Sequence, residues 1–281
     1  SLIYNPYSVN KKIVSISGKS FDKNDNLIGI IGAGNFTSAI VLPALKRAKA
    51  NVGFIASSGG LSSTVLAKKF NIPKSTSDYH QILQDPNVGL VLATTQHNSH
   101  ASLVNDTLKA GKNIFVEKPL CIKESDIDKI IFQYNKSNNS ISVGFNRRFG
   151  DLAIKMKELI GSSEVPINIT ATFNAGFIPS DNWVHDLDIG GGRILGEACH
   201  FIDLCTYLTG SMVEKVCMSA LTNNPQKNTD NASILLKYEN GSNVVINYFS
   251  NGSKSYSKER IEVYSQEKTL ILDNWRQLLG Y

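Results

Sequence analysis

Between residues 27 and 146, short runs of β-branched and aliphatic residues alternate with longer stretches whose apolar positions recur at helical spacing. The runs LIGII (27–31), NVGFIAS (51–57), VGLVLAT (88–94), NIFVE (113–117) and SISVGF (140–145) predict strands. Amphipathic stretches over 35–49, up to Phe70, just after Asp78, over about 99–110 and over 124–135 predict the helices between them. Such alternation predicts parallel strands joined by crossover helices. The strands are apolar throughout rather than at every second position, so the sheet is expected to be covered on both faces.

After residue 146 the pattern changes. One helix (about 150–160), a strand (167–173), a loop with glycines at 190–192 and a helix (about 193–208) come first. Then strands dominate: 213–221, 231–238, 242–249, 259–265 and 268–272, with turn signals at Glu239-Asn240-Gly241 and Asn251-Gly252. The expected architecture is an α/β, Rossmann-type doubly wound parallel sheet over 27–146, followed by an α+β domain with a mostly antiparallel sheet over 147–281. Residues 1–26 are expected to be a linker, an N-terminal extension or an added strand.

Composition narrows the partners. The chain has 281 residues, 42% of them hydrophobic, enough for two ordinary domains. Its 29 basic and 24 acidic residues are spread along the chain, with Lys46-Arg47-Ala48-Lys49 the densest basic cluster. No basic block forms a phosphate track, so nucleic acid is not an expected partner. Cys121, Cys199, Cys205 and Cys217 form neither a CxxC pair nor a disulfide framework, which points to reduced thiols and a cytoplasmic protein. No apolar run approaches the ~18 residues of a membrane span. The opening SLIYNPYSVNKK lacks the apolar core of a signal peptide. A first residue of serine rather than methionine suggests a piece of something longer.

Gly32-Ala33-Gly34-Asn35-Phe36-Thr37 follows the first strong strand and opens a helix, where unpaired helix amides can hold a pyrophosphate. Gly32 allows the tight turn and Gly34 lets the backbone approach phosphate, so Gly32, Gly34, Asn35 and Phe36 are candidate cofactor contacts. Thr37 replaces the third glycine of GxGxxG and weakens the motif. A tight strand–helix turn that binds nothing is the plain alternative. The next strand ends Ala56-Ser57-Ser58-Gly59, with neither the carboxylate that favours NAD nor an arginine for a 2′-phosphate. Ser57 and Ser58 suit either cofactor, so NAD versus NADP stays open.

Thr95, His97 and His100 follow the VGLVLAT strand, where a loop can reach the nicotinamide ribose. As a metal site this loop offers two imidazoles and no third ligand, so no metal is expected. Glu117-Lys118-Pro119 closes the NIFVE run at the sheet edge where open α/β folds bind ligands. Lys118 can hold or polarise a substrate hydroxyl there, and the plain alternative is a solvated charge. Wound at ~100° per residue, the helix from Arg193 places Ile194, Leu195, Ala198, Phe201, Ile202, Cys205 and Leu208 on an apolar arc. Arg193, Gly196, Glu197, His200, Asp203 and Tyr207 fall on the other side. Glu197 and Asp203 each stand three residues from His200, within reach to orient its ring and favour its protonated form. The three preceding glycines suggest a backbone that something approaches closely. Asn146, Arg147, Arg148, Asn174, Trp183 and His185 are expected to line a substrate pocket or to serve as interface residues. Cys199 and Cys205 read as packing residues.

Together GAGNF, Pro43 in the first helix, TQHNSH, EKP, GFNRRF and GGG…HxxD resemble the glucose-fructose oxidoreductase / inositol dehydrogenase (Gfo/Idh/MocA) family over nearly all of 27–281. That resemblance implies an NAD(P)-dependent oxidoreductase acting on a hydroxyl or keto carbon of a sugar, sugar acid or nucleotide sugar. It makes Lys118 the positioning or proton-relay residue and His200 the general base; Asn146, Arg148, Trp183 and Glu197 are the candidate substrate contacts read from the sequence beside them. Many polyol-oxidising members carry an Asp four residues before the histidine, where this chain has Gly196. The wording GGGRILGEACHFIDL resembles a branch from surface-polysaccharide gene neighbourhoods, in which this module follows an alcohol-dehydrogenase-like domain. The family commonly continues past the point where Tyr281 ends this chain, and a homo-oligomer is expected. Two other readings share the same residues: a glycoside-cleaving enzyme that oxidises transiently, and a non-catalytic NAD(P)-binding regulator.

Overall fold

The computed structural model describes residues 13–16, 21, 26–224 and 229–281. Most of the expected extension, 1–12, 17–20 and 22–25, lies outside the described residues. The chain forms two compact units, Ser1–Gly144 and Phe145–Tyr281.

The first unit begins with β1 (Ile13–Ser15) and β2 (Leu27–Ile31), then a π-helical turn (Thr37–Val41) running into α1 (Leu42–Arg47). There follow β3 (Val52–Ala56), α2 (Leu61–Phe70), β4 (Lys74–Thr76), α3 (His80–Gln84), β5 (Val88–Ala93) and α4 (His100–Lys109). β6 (Asn113–Val116), α5 (Glu124–Asn135) and β7 (Ile141–Val143) complete it. The sheet order is β1-β4-β3-β2-β5-β6-β7, parallel except for β1, which runs antiparallel to β4. Strand order reverses between β2 and β5, the point at which open α/β sheets leave a crevice at their carboxyl edge.

Alternate strand residues feed the two faces. Ile30, Ile55 and Leu92 pack with Leu42, Leu66 and Ala67 of α1 and α2. Ile31, Phe54, Val91 and Ile114 pack on the other face with Ile82 of α3, Leu103, Val104 and Leu108 of α4, and Ile130 of α5. The predicted first helix is not α-helical throughout. Pro43 lacks an N–H and crowds the carbonyl four residues back. Ahead of it the helix widens, and the Leu42 amide donates to the Thr37 carbonyl five residues back.

The second unit contains α6 (Asp151–Ile160), β8 (Asn168–Asn174) and a π-helical turn (Ile194–Ala198) leading into α7 (Cys199–Thr209). Six strands follow: β9 (Val213–Ala220), β10 (Asn231–Tyr238), β11 (Asn243–Phe249), β12 (Glu259–Ser265), β13 (Lys268–Asp273) and β14 (Gln277–Gly280). Their order is β14-β13-β12-β8-β11-β10-β9, antiparallel except for the β8–β11 pair. One sheet face, carrying Ile169, Ala171, Phe173, Val244, Ile246, Ile261 and Val263, buries Ala153, Met156 and Ile160 of α6 and Phe201, Leu204, Cys205 and Leu208 of α7. The α7 set recurs at i, i+3, i+4 and i+7, the stripe of a half-buried helix.

The 100° wheel fails in the turn before α7. Arg193, expected on the polar side, is 1% exposed, whereas Leu195, expected on the apolar arc, is 38% exposed. The Ile194–Ala198 turn is π-helical, so each residue turns less about the axis than in an α-helix and the first turn is out of phase with the rest.

Candidate functional site

In the first unit the glycine turn sits directly after β2. Gly32 has φ +116°, a conformation open mainly to glycine, and a Cβ there would meet Thr94 Oγ1 at 2.6 Å and the Thr94 carbonyl oxygen at 2.7 Å. Its amide donates to Ala56 of β3 at 2.9 Å. Thr94, at the end of β5, thus presses on the turn exactly where strand order reverses. Thr37, the substitute for the third glycine, is fully buried, and its hydroxyl pairs with that of Thr94 at 2.8 Å. The Thr94 hydroxyl also lies 3.2 Å from the Gly32 carbonyl. The departure from GxGxxG therefore replaces close glycine packing with a buried hydroxyl pair that ties helix to strand.

Gly34 is the opposite case: a Cβ built on it meets nothing within 4 Å. Asn35 and Phe36 are exposed beside it at the start of the helix, whose first amides have no intrahelical acceptor. Ser57 follows β3 and accepts the Ser63 amide at 3.1 Å, so its hydroxyl caps α2, while Ser58 is exposed. The Thr95 hydroxyl meets that of Ser99 at 2.5 Å, and His97 is half-buried in the turn between them.

His100 is more enclosed than the rest of this loop. It is fully buried, with Nδ1 2.7 Å from the Pro119 carbonyl and Nε2 3.1 Å from the Thr95 carbonyl. Burial and the nearby Lys118 charge hold its pKa below the ordinary histidine value despite these two carbonyls. A ring enclosed this way braces two loops. Glu117 and Lys118 are half-buried at the end of β6. Burial raises the Glu117 pKa against the opposing pull of Lys118. A Cβ on Gly144 would lie 2.8 Å from Glu117 Oε1, so this glycine makes room for the carboxylate.

In the second unit the conspicuous charges are paired. Arg147 donates from Nε and Nη2 to both oxygens of Glu259 (3.0 and 2.5 Å), which also accepts Trp275 Nε1 at 2.6 Å. Arg148, expected to contact substrate, donates from Nε and Nη2 to the two oxygens of Asp203, the first at 2.9 Å. Its charge is thereby committed to α7. Asp203 in turn holds Arg148, alongside any influence it has on His200. Arg193 donates to the Gly176 carbonyl at 2.8 Å and lies 3.4 Å from both Asp230 and Glu197. Glu197 also accepts the Tyr248 hydroxyl at 2.6 Å, and burial together with this carboxylate raises the tyrosine pKa. The wheel gave no signal for this buried arginine; its i,i+4 spacing to Glu197 was the available clue.

His200 is half-buried near the start of α7, with its ring edge-on to Phe145 at 6.2 Å between centroids. Asn146 is exposed at the N-cap position of the turn Arg147–Phe149, without a side-chain capping bond. Trp183 is exposed on the turn Trp183–His185. His185 Nε2 lies 3.3 Å from the Ile178 carbonyl. The close approach expected at the glycines is internal: a Cβ on Gly190 would meet the Trp183 carbonyl oxygen and Val184 Cα at 2.6 Å. Gly191 and Gly192 have φ +75° and +82°. The described residues contain no group of three or more His, Cys, Asp or Glu arranged to hold a metal ion.

Residues 27–145 match the family model described as oxidoreductase family, NAD-binding Rossmann fold, and residues 154–271 match the GFO/IDH/MocA C-terminal domain. The chain belongs to the GFO/IDH/MocA oxidoreductase family. Among its relatives is the myo-inositol 2-dehydrogenase of Thermotoga maritima, 28% identical over 219 residues, which cover 75% of this chain and 64% of that protein. The crystal structure of a probable dehydrogenase from Thermotoga maritima superposes with a TM-score of 0.75 at 28% identity, covering 88% of this chain and 75% of that one. A levoglucosan dehydrogenase structure shares the fold at 23% identity, with a TM-score of 0.77 over 90% of this chain and 75% of its own.

Within this GFO/IDH/MocA chain the turn suits the dinucleotide of the family's Rossmann domain. Gly34 leaves open the volume that a Cβ would fill, at a helix N-terminus where backbone amides favour an anion. No helix among the described residues is long and apolar enough to cross a membrane. No disulfide joins Cys121, Cys199, Cys205 and Cys217.

Proposed function

We propose that the chain is an NAD(P)-dependent dehydrogenase acting on a hydroxyl-bearing carbon of a sugar, sugar acid or nucleotide sugar. The observation that carries this reading is the Gly32–Gly34 turn, clamped by Thr37 and Thr94 at the reversal of strand order. Lys118 follows β6 on the same carboxyl edge of the sheet. Gly32, Gly34, Asn35 and Phe36 would hold the pyrophosphate, and Ser58 would face the adenosine ribose. The bound nicotinamide supplies a two-electron acceptor for hydride.

In this reading the Lys118 ammonium donates a hydrogen bond to the substrate hydroxyl and fixes its oxygen. His200 would accept the hydroxyl proton on its imidazole as the carbon–hydrogen bond breaks, and a bound nicotinamide would supply the acceptor for the hydride. The sequence relative named for myo-inositol supports a polyhydroxylated substrate. Gly196 supplies no carboxylate, and the neighbouring Glu197 is held by Arg193 and Tyr248, which favours a sugar or sugar derivative over inositol itself. A cytoplasmic setting is inferred from a sequence whose four cysteines form no disulfide framework.

Titration of the purified chain with NADH and NADPH tests the reading. Saturable binding of at least one is expected, and no binding of either at millimolar concentration would overturn it. His200→Ala should retain cofactor affinity while slowing turnover by ~10²-fold or more, the scale of a lost general base.

A further inference from the structure

We propose that His100 is a positioning residue that fixes the backbone carrying Lys118 through a hydrogen bond from its Nδ1–H to the Pro119 carbonyl. This rests on the reading that Lys118 contacts the substrate. It assigns to a buried side chain the task of setting where that lysine stands.

The geometry is specific. β5 and β6 are neighbouring strands, and the loops leaving their carboxyl ends carry Thr95 and Lys118. His100, the first residue of α4, lies fully buried between these loops with one ring nitrogen on each: Pro119 at 2.7 Å and Thr95 at 3.1 Å. Two carbonyls face a ring that, when neutral, has a single N–H, so it can donate to only one of them. The proposal places that N–H on Nδ1, where the contact is shorter. Burial and the adjacent Lys118 charge favour that neutral form. Pro119 has no amide hydrogen, so it cannot fix the Lys118 backbone as a donor. The Pro119 carbonyl, in the next peptide, is the one hydrogen-bonding backbone group that the residue after Lys118 offers, and His100 grips it. The loop on the other side is braced separately by the Thr95–Ser99 hydroxyl pair. Losing the Thr95 contact should therefore disturb less than losing the Pro119 bond.

Two side chains separate the bonds. An asparagine amide nitrogen falls near the Nδ1 position and can still donate to Pro119. A glutamine amide nitrogen falls near the Nε2 position and can donate to Thr95 only. In the full chain, the rate at which acetic anhydride modifies Lys118 is followed by mass spectrometry, with the other lysines as internal controls. His100→Gln should change the Lys118 rate several-fold, and His100→Asn should restore it. Equal rates at Lys118 in the wild type and both variants would overturn the proposal, as would a change shared by all lysines. Should both variants fail to fold, the wild-type chain still decides: two-bond proton–nitrogen NMR of the histidine rings should show the Nδ1–H tautomer at His100, and an Nε2–H tautomer refutes the proposed bond. Neither measurement needs turnover, so failure here is distinguishable from failure of the dehydrogenase reading, which is tested by Lys118→Ala kinetics.

Discussion

Gly32→Ala and Gly34→Ala place the same methyl group two residues apart and should produce opposite phenotypes. At Gly32 the methyl forces a φ of +116° on an L-residue and drives Cβ to within 2.6–2.8 Å of Thr94, including its backbone carbonyl. The conformational cost alone is about 1–2 kcal/mol. Thr94 is held in β5's hydrogen-bonded exit and cannot withdraw freely, so a total near 3 kcal/mol is expected, within the range for backbone strain and overpacking. For a chain of this size that lowers Tm by about 6–12 °C. At Gly34 the methyl meets nothing within 4 Å, so stability should stay within about 0.5 kcal/mol. The same methyl, however, occupies the space where a pyrophosphate would approach the backbone. Losing one charge-assisted backbone bond costs about 1.5–3 kcal/mol, a roughly 10- to 150-fold weaker Kd. Thermal unfolding by circular dichroism and NADH titration by fluorescence measure the two effects independently. Unchanged NADH affinity in Gly34→Ala would refute the assignment of this turn to the pyrophosphate. A Gly34→Ala protein as unstable as Gly32→Ala would refute the packing argument itself.

Three further perturbations test the scaffold. Asp85 accepts Lys74 Nζ at 2.7 Å and the Asn87 amide at 3.0 Å; burial pushes its pKa up, but these bonds outweigh it and the net shift is downward. Its stabilising contribution is therefore complete above the unfolded value of 3.8 and lost as pH falls through the folded value. Asp85→Ala should cost about 1–3 kcal/mol at neutral pH and flatten the acid limb of a urea-melt pH series below that point. Thr37→Val keeps side-chain volume but removes the hydroxyl paired with Thr94, and should cost about 1 kcal/mol in chemical denaturation. Between β12 and β13, Gln266 and Glu267 adopt φ +49° and +61° in a two-residue hairpin turn that favours Asn-Gly. Replacing the pair by Asn-Gly should stabilise the chain by about 1–2 kcal/mol, read as a rise in Tm.

Continuous apolar strands and helical spacing revealed the doubly wound sheet because each strand is buried on both faces and each helix on one. The strands that escaped notice are those with little apolar content: β4 is Lys-Ser-Thr at its core, and its membership depends on pairing with β3 and β1. β14 is similarly short and lies at the sheet edge, largely exposed. The glycine turn and the Glu117-Lys118-Pro119 edge were legible because their chemistry is local. Partners of the charged residues were not. Arg148 finds Asp203, Arg147 finds Glu259 and Arg193 finds Asp230 across 55, 112 and 37 positions, distances that only tertiary packing closes. His100 shows the same limit, since its loop location suggested a ligand contact while burial turned its ring inward.

These pairings carry a consequence for the proposed chemistry. The second unit's conspicuous cations, Arg147, Arg148 and Arg193, each face a carboxylate within that unit. A partly buried guanidinium so neutralised is costly to separate from its partner, because breaking the pair leaves a desolvated charge behind. Recognition of a substrate carboxylate or phosphate by these arginines would have to overcome that cost. Glu197 is committed in the same way, held between Arg193 and Tyr248. A substrate is then better recognised in this unit through its hydroxyls, by groups that donate or accept without surrendering a buried ion pair. His200 can do this, since an imidazole nitrogen can donate to or accept from a hydroxyl. The charge pairing and the proposed proton transfer therefore favour one division of labour, in which the arginines hold α7 and the chain entering α6 in place while the histidine works on the hydroxyl.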